Sequence, residues 1–160
     1  MITLMGKYIS ILHRQEQKYL GRVLQTDALG ISGVNFLLYL ARNEGVSQKR
    51  LCETLAIDEA LGTRGLKKLA EEGFLERKRD EADLRSYALF LTPKGKKLVP
   101  EIRHAIESWW SEMMQRLPFD EAEILRLMAQ LEQMANAALQ INHQKEQKKE
   151  RTSPYASSHQ

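Results

Sequence analysis

Apolar residues recur every three to four positions along most of this chain, and alternate in one short stretch. Met5, Tyr8, Ile9, Leu12, Tyr19, Leu20 and Val23 share one face of a helix predicted over residues 3–25. Ser32 is placed to cap a second helix carrying Val34, Phe36, Leu37, Tyr39 and Leu40, which Asn43 to Gly45 end. Ser47 caps a short third helix with Leu51 and Leu55 inward, and Asp58 caps a fourth that Gly73 closes. Phe74 and Leu75 then open a strand. Tyr87, Leu89 and Leu91 alternate with Ala88 and Phe90 in a second one, the two-residue period of a sheet. Thr92 and Pro93 begin a long helix whose stripe runs Leu98, Ile102, Ala105, Ile106, Trp109, Met113 and Leu117. Pro100 lies inside it and is expected to kink it or split off its first turns. Asp120 with Glu123 forms a capping box for a last helix ending near residue 143. Residues 144–160 are polar and unpatterned, and read as a disordered tail.

Between the two strands the chain is strongly charged. Arg77, Lys78, Arg79, Asp80, Glu81, Asp83 and Arg85 crowd into nine positions. A basic hairpin directly after a helix is the signature of a winged helix-turn-helix, which reads duplex DNA. The formal net charge is only +3. From Val46 to Lys97, twelve Lys or Arg face nine Asp or Glu, so this middle third carries the entire excess. The expected fold is mainly α with a small β-wing. The helices over 1–30 and 93–143 form a dimerisation region around a winged helix-turn-helix at 31–92. The flanking helices have no second core to cover, and pairing in a homodimer solves that.

Composition excludes several classes. Cys52 is the sole cysteine, so no intramolecular disulfide forms and a buried structural thiol is expected. His13, His104, His143 and His159 are dispersed without metal-ligand spacing, and no metal or other cofactor is expected. No nucleophile sits with a paired base and no glycine-rich phosphate loop occurs, which argues against an enzyme. No apolar run approaches the roughly 18–20 residues of a membrane span, and the N-terminus lacks signal-peptide architecture. A cytoplasmic location is expected.

Thr63-Arg64, Leu69, Gly73-Phe74-Leu75, Asp83-x-Arg85 and Leu91-Thr92-x-x-Gly95 occur at the spacing of the MarR family of transcription regulators. The chain resembles that family from about residue 5 to 143. The resemblance implies a homodimeric, ligand-responsive regulator, most often a repressor, on a pseudo-palindromic operator. It places the fourth helix in the major groove, with Ala60, Leu61 and Arg64 toward base edges, Thr63 beside them among the DNA-binding residues, and Lys67 and Lys68 toward phosphate. Ser47 and Gln48 offer backbone N–H groups to a phosphate. The wing directs Arg85 into the minor groove, oriented by Asp83. Of the alternating Arg77, Lys78 and Arg79, the residue nearest the tip, Arg79, is expected to reach DNA.

Three departures stand out. Ala60 and Leu61 replace the family's usual hydroxyl residues, so readout there is expected to be apolar, against a thymine methyl. Gly62 and Gly65 interrupt the recognition helix at about 0.5–1 kcal/mol each, predicting a helix loosened in the free protein. Leu84 stands where family wings commonly carry Arg. A pocket for a small aromatic ligand, if formed, draws on Tyr8, His13, Phe36, Tyr39, Trp109 and Trp110. Core or dimer packing explains Trp109 better, since it sits on the apolar stripe. A winged helix that serves as a protein-interaction adaptor, without DNA, is the competing function.

Overall fold

The computed structural model describes residues 4–25, 29–79 and 87–152, with the backbone alone at Ile31 and 143–152. The elements run α1 (Met5–Leu24), α2 (Gly30–Leu40), β1 (Val46–Ser47), α3 (Gln48–Thr54), α4 (Glu59–Glu71), β2 (Leu75–Arg79), β3 (Tyr87–Leu91), α5 (Pro93–Met114) and α6 (Glu121–Thr152). The chain divides into two compact units, Met1–Met113 and Met114–Gln160.

In the first unit one core gathers every element. Leu20 of α1, Phe36, Leu37 and Leu40 of α2, Leu51 and Cys52 of α3, Leu66 and Leu69 of α4, Leu89 and Leu91 of β3, and Ile102 of α5 are all buried. Removing these side chains from water supplies the main driving force for the unit. The sheet is antiparallel in the order β1-β3-β2. Leu75 pairs with Leu91, Arg77 with Leu89 and Arg79 with Tyr87, which is the hairpin expected from the alternating pattern. β1 was not legible in the sequence. It pairs Val46 with Leu89 before Ser47 turns into α3.

Local hydrogen bonds fix most helix ends. The Arg50 N–H donates to the Ser47 hydroxyl at 3.2 Å, starting α3. The N–H groups of Ala60 and Leu61 donate to Asp58 Oδ1 at 2.9 and 3.2 Å, starting α4. α4 closes on Gly73 at φ +75°, with the Phe74 N–H bonded to the Leu69 carbonyl. Thr92 starts α5 by accepting from the Gly95 N–H at 3.1 Å, while its own hydroxyl donates to the Gly73 carbonyl at 2.6 Å. One threonine thus joins the end of α4 to the start of α5.

Three sequence expectations are corrected. Ser32 does not cap α2. That helix begins at Gly30, two residues before Ser32, with the buried Leu29 at its N-cap and no side-chain cap. Pro100 does not split α5, which continues through it from Pro93 to Met114. In the second unit, the Asp120–Glu123 capping box forms with both bonds at 2.8 Å. α6 then runs to Thr152, past the expected end near 143. The tail expected to be disordered over 144–160 is therefore helical as far as Thr152. Gln, Lys and Glu are good helix formers, and 144–151 contains no breaker. Residues 153–160 lie outside the described residues.

Candidate nucleic-acid interface

α3 and α4 meet through a short turn at Ala56 to form a helix-turn-helix. α4 buries Leu66 and Leu69 and exposes Ala60, Leu61, Thr63, Arg64, Lys67 and Lys68 along its outer face. The two interior glycines face neighbouring helices at short range. A Cβ at Gly62 would collide with Cys52 Sγ, and one at Gly65 would lie 2.8 Å from Phe36 Cε2. Both positions are points of close approach, where α4 seats against α3 and α2. Burial, with the Glu59 and Asp58 carboxylates nearby, pushes the Cys52 thiol up from its ordinary range, so it stays a neutral packing group.

A polar chain ties the reading face to the wing. Arg77 of β2 donates to Gln48 Oε1 at 3.3 Å. Gln48 Nε2 donates to the Thr63 hydroxyl at 2.7 Å, and that hydroxyl donates to the Glu59 carbonyl at 2.8 Å. The side chains of Gln48 and Thr63 are thereby occupied. Ser47 spends its hydroxyl on the α3 cap. Lys67 pairs loosely with Glu71 at 3.7 Å on the surface, a contact of small energetic weight. Lys78 contacts Glu76 at 2.8 Å and lies over the Phe90 ring, on the opposite side of β2 from Arg77. Arg79 is exposed at the end of β2. Among the described residues neither Arg64 nor Arg79 has a side-chain partner. Asp83, Leu84 and Arg85 lie outside the described residues.

The aromatic candidates separate. Phe36 is fully buried against Gly65, so it is no pocket residue, a correction forced by core packing. Tyr8 and His13 are exposed on α1. Trp109 and Trp110 are half-buried and meet edge to face at 4.9 Å, and the Trp110 indole N–H donates to Glu16 Oε1 at 2.9 Å, joining α5 to α1. Tyr39 alone of the six lines an open groove of about 550 Å³. One wall is Asn35, Leu38 and Tyr39 of α2 with Arg42 just past its end, and the α5 wall is Arg103, Ile106 and Glu107. Those residues recur at three-to-four spacing along each helix, a signal the aromatic content of the chain obscured. Arg77, whose side chain completes the tie to Gln48, was also passed over in favour of Arg79.

A helix-turn-helix followed by a two-stranded wing, built into one core with the helices before and after it, is the winged helix-turn-helix of transcription regulators. The MarR family model matches residues 34–86. A MarR transcriptional regulator from Methanosarcina mazei Go1 has the same fold at TM-score 0.77 and 38% identity, over 87% of this chain and 99% of that one. The HTH-type transcriptional regulator BilQ of Clostridium symbiosum is 28% identical over 77% of this chain and 85% of its own length. A MarR family regulator from Listeria monocytogenes, solved with 26mer DNA, shares the fold at TM-score 0.71, with 24% identity over 88% of this chain and 89% of that one. The chain belongs to the MarR family. Among the described residues no helix is long and apolar enough to cross a membrane.

Proposed function

We propose that this MarR-family regulator binds duplex DNA as a homodimer, represses transcription from a pseudo-palindromic operator, and is released by a small aromatic ligand. The carrying observation is the outer face of α4 and the end of β2, where Arg64 and Arg79 stand exposed and without a partner among the described residues. Phosphate contacts from such residues fix register, and contacts to base edges supply sequence. The Listeria fold neighbour solved with DNA supports the same reading. In this reading 31–92 is the DNA-binding region, with Asp83 and Arg85 in the wing completing the interface. The helices of 1–30 and 93–143 pair the two copies. Met5, Tyr8, Ile9, Ile11 and Leu12 on α1, and Leu125, Met128, Leu131, Met134, Leu139 and Ile141 on α6, are all more than a third exposed, which supports pairing. Two recognition helices would then address half-sites about one helical turn apart. The groove beside Tyr39 is the ligand site. A ligand there releases DNA only by binding one dimer geometry better than the other.

The deciding experiment selects genomic fragments with the purified full chain and with the Arg64→Ala/Arg85→Ala double variant. Enrichment of an inverted repeat by the wild type, lost in the variant, is the expected result. The competing adaptor reading draws on one observation, the apolar Ala60-Leu61 pair on the outer face of α4. It predicts no enrichment and no steep salt dependence of DNA binding.

A further inference from the structure

The first two turns of α4 separate into groups already engaged and groups left over. Thr63 is engaged, since its hydroxyl accepts from Gln48 at 2.7 Å and donates to the Glu59 carbonyl at 2.8 Å. Asp58 is engaged by the N–H groups it caps. The side chains of Glu59, Ala60, Leu61 and Arg64 remain, and of these Leu61 and Arg64 suit a duplex. The three leucines of α4 divide the same way. Leu66 and Leu69 are fully buried, whereas Leu61 is 45% exposed. Leu61 and Arg64 are three residues apart and therefore neighbours on one helix face. A leucine that shares its helix face with Arg64 and, a turn further on, Lys68 suits a polyanion better than an apolar protein groove. The apolar group that a duplex presents in its major groove is the 5-methyl of thymine, and the group that best suits a guanidinium is the guanine O6/N7 edge.

Resting on the DNA-binding reading above, we propose that Leu61 is a specificity-determining residue that packs on a thymine methyl in each half-site, beside a guanine read by Arg64. Thr63 makes no base contact. Gln48 holds it back, and with Arg77 fixes α4 relative to β2 so that Leu61 and Arg64 reach the groove together.

The test uses the duplex that the full chain selects from a random-sequence library. Each thymine is replaced in turn by deoxyuridine, which lacks only the 5-methyl, and affinities are compared at one salt concentration. Burying a methyl contributes about fourfold, so one deoxyuridine in a single half-site is expected to weaken binding by about that factor, and one in each half-site by about sixteenfold. Leu61→Ala should bind the thymine and deoxyuridine duplexes alike, yet keep the preference for guanine opposite Arg64. Because Leu61 is exposed, this variant should melt with the wild type, which circular dichroism verifies. Equal affinity for every deoxyuridine duplex overturns the proposal. So does a Leu61→Ala protein that keeps the full deoxyuridine penalty, or a selected site without thymine. A chain that selects no sequence at all overturns the DNA-binding reading itself.

Discussion

Gly62 of α4 lies so close to Cys52 of α3 that a side chain on the glycine would occupy the space of the Cys52 sulfur. This contact sets how the two helices of the helix-turn-helix seat against each other, and so where Leu61 and Arg64 point. Cys52 is 2% exposed in a close-packed core, so its sulfur has little room to move aside.

Gly62→Ala is therefore expected to destabilise the fold by about 1–3 kcal/mol, the usual cost of overpacking, even though alanine is the better helix former. Cys52→Ala in the same chain should recover part of the loss by making room. Urea denaturation of the two single variants and the double variant measures the coupling. Additive effects would show that the contact does not control stability.

The same pair shows what the sequence could and could not convey. Caps at Ser47, Asp58, Thr92 and Asp120 were legible because each is a hydrogen bond between residues two or three apart. The wing was legible because Tyr87, Leu89 and Leu91 keep the period of a strand. The roles of Gly62 and Gly65 were not, since a glycine in a helix reads as a weakness until its neighbour in space is known. The Gln48–Thr63 and Arg77–Gln48 bonds join residues 15 and 29 apart, beyond any local pattern. β1 was missed because two residues cannot display a period.

α3 and α4 end alike, yet with different residues. At the end of α4, Gly73 takes φ +75°, and at the end of α3, Ala56 takes φ +52°. The Ile57 N–H reaches the Cys52 carbonyl at 2.9 Å, as the Phe74 N–H reaches Leu69. The left-handed conformation costs an L-residue about 1–2 kcal/mol, of which glycine's greater unfolded-state entropy offsets part. Ala56→Gly should thus stabilise the chain by about 0.5–1 kcal/mol, visible as a melting temperature raised by a few degrees. A lower melting temperature would contradict this account of the turn.

The raised Cys52 thiol makes a pH prediction. Folding disfavours the thiolate, so the stabilisation is fully present below the ordinary thiol value of 9.0 and is lost as pH rises from there through the folded-state value. Stability measured from pH 8 upward should fall more steeply in the wild type than in Cys52→Ala. Parallel curves would mean that Cys52 does not titrate differently on unfolding.

Arg64 and Arg79 should fail differently when removed. Arg79→Ala is expected to weaken binding by a similar factor on selected and scrambled duplexes, and to lower the salt slope by about one per protomer, as a phosphate contact does. Arg64→Ala should cost about 1–3 kcal/mol on the selected duplex and little on the scrambled one. Fluorescence anisotropy at several salt concentrations separates the two behaviours. Identical profiles would assign both residues to phosphate.

The groove beside Tyr39 carries Arg42 and Arg103 against the single carboxylate of Glu107, so its walls favour an anion. A flat aromatic acid could place its ring along Leu38, Tyr39 and Ile106 and its carboxylate between the arginines. Trp110 follows Glu107 by one turn of α5 and is hydrogen-bonded to Glu16 of α1, so displacement of α5 against α1 should alter its emission. Titration with benzoate is expected to change tryptophan fluorescence and weaken DNA binding over the same concentration range. A charge-assisted hydrogen bond contributes about 1.5–3 kcal/mol, so Arg103→Ala should shift both responses by tenfold or more. If Arg103→Ala responds like the wild type, or benzoate changes the fluorescence without affecting DNA binding, the groove is not the site through which a ligand releases the operator.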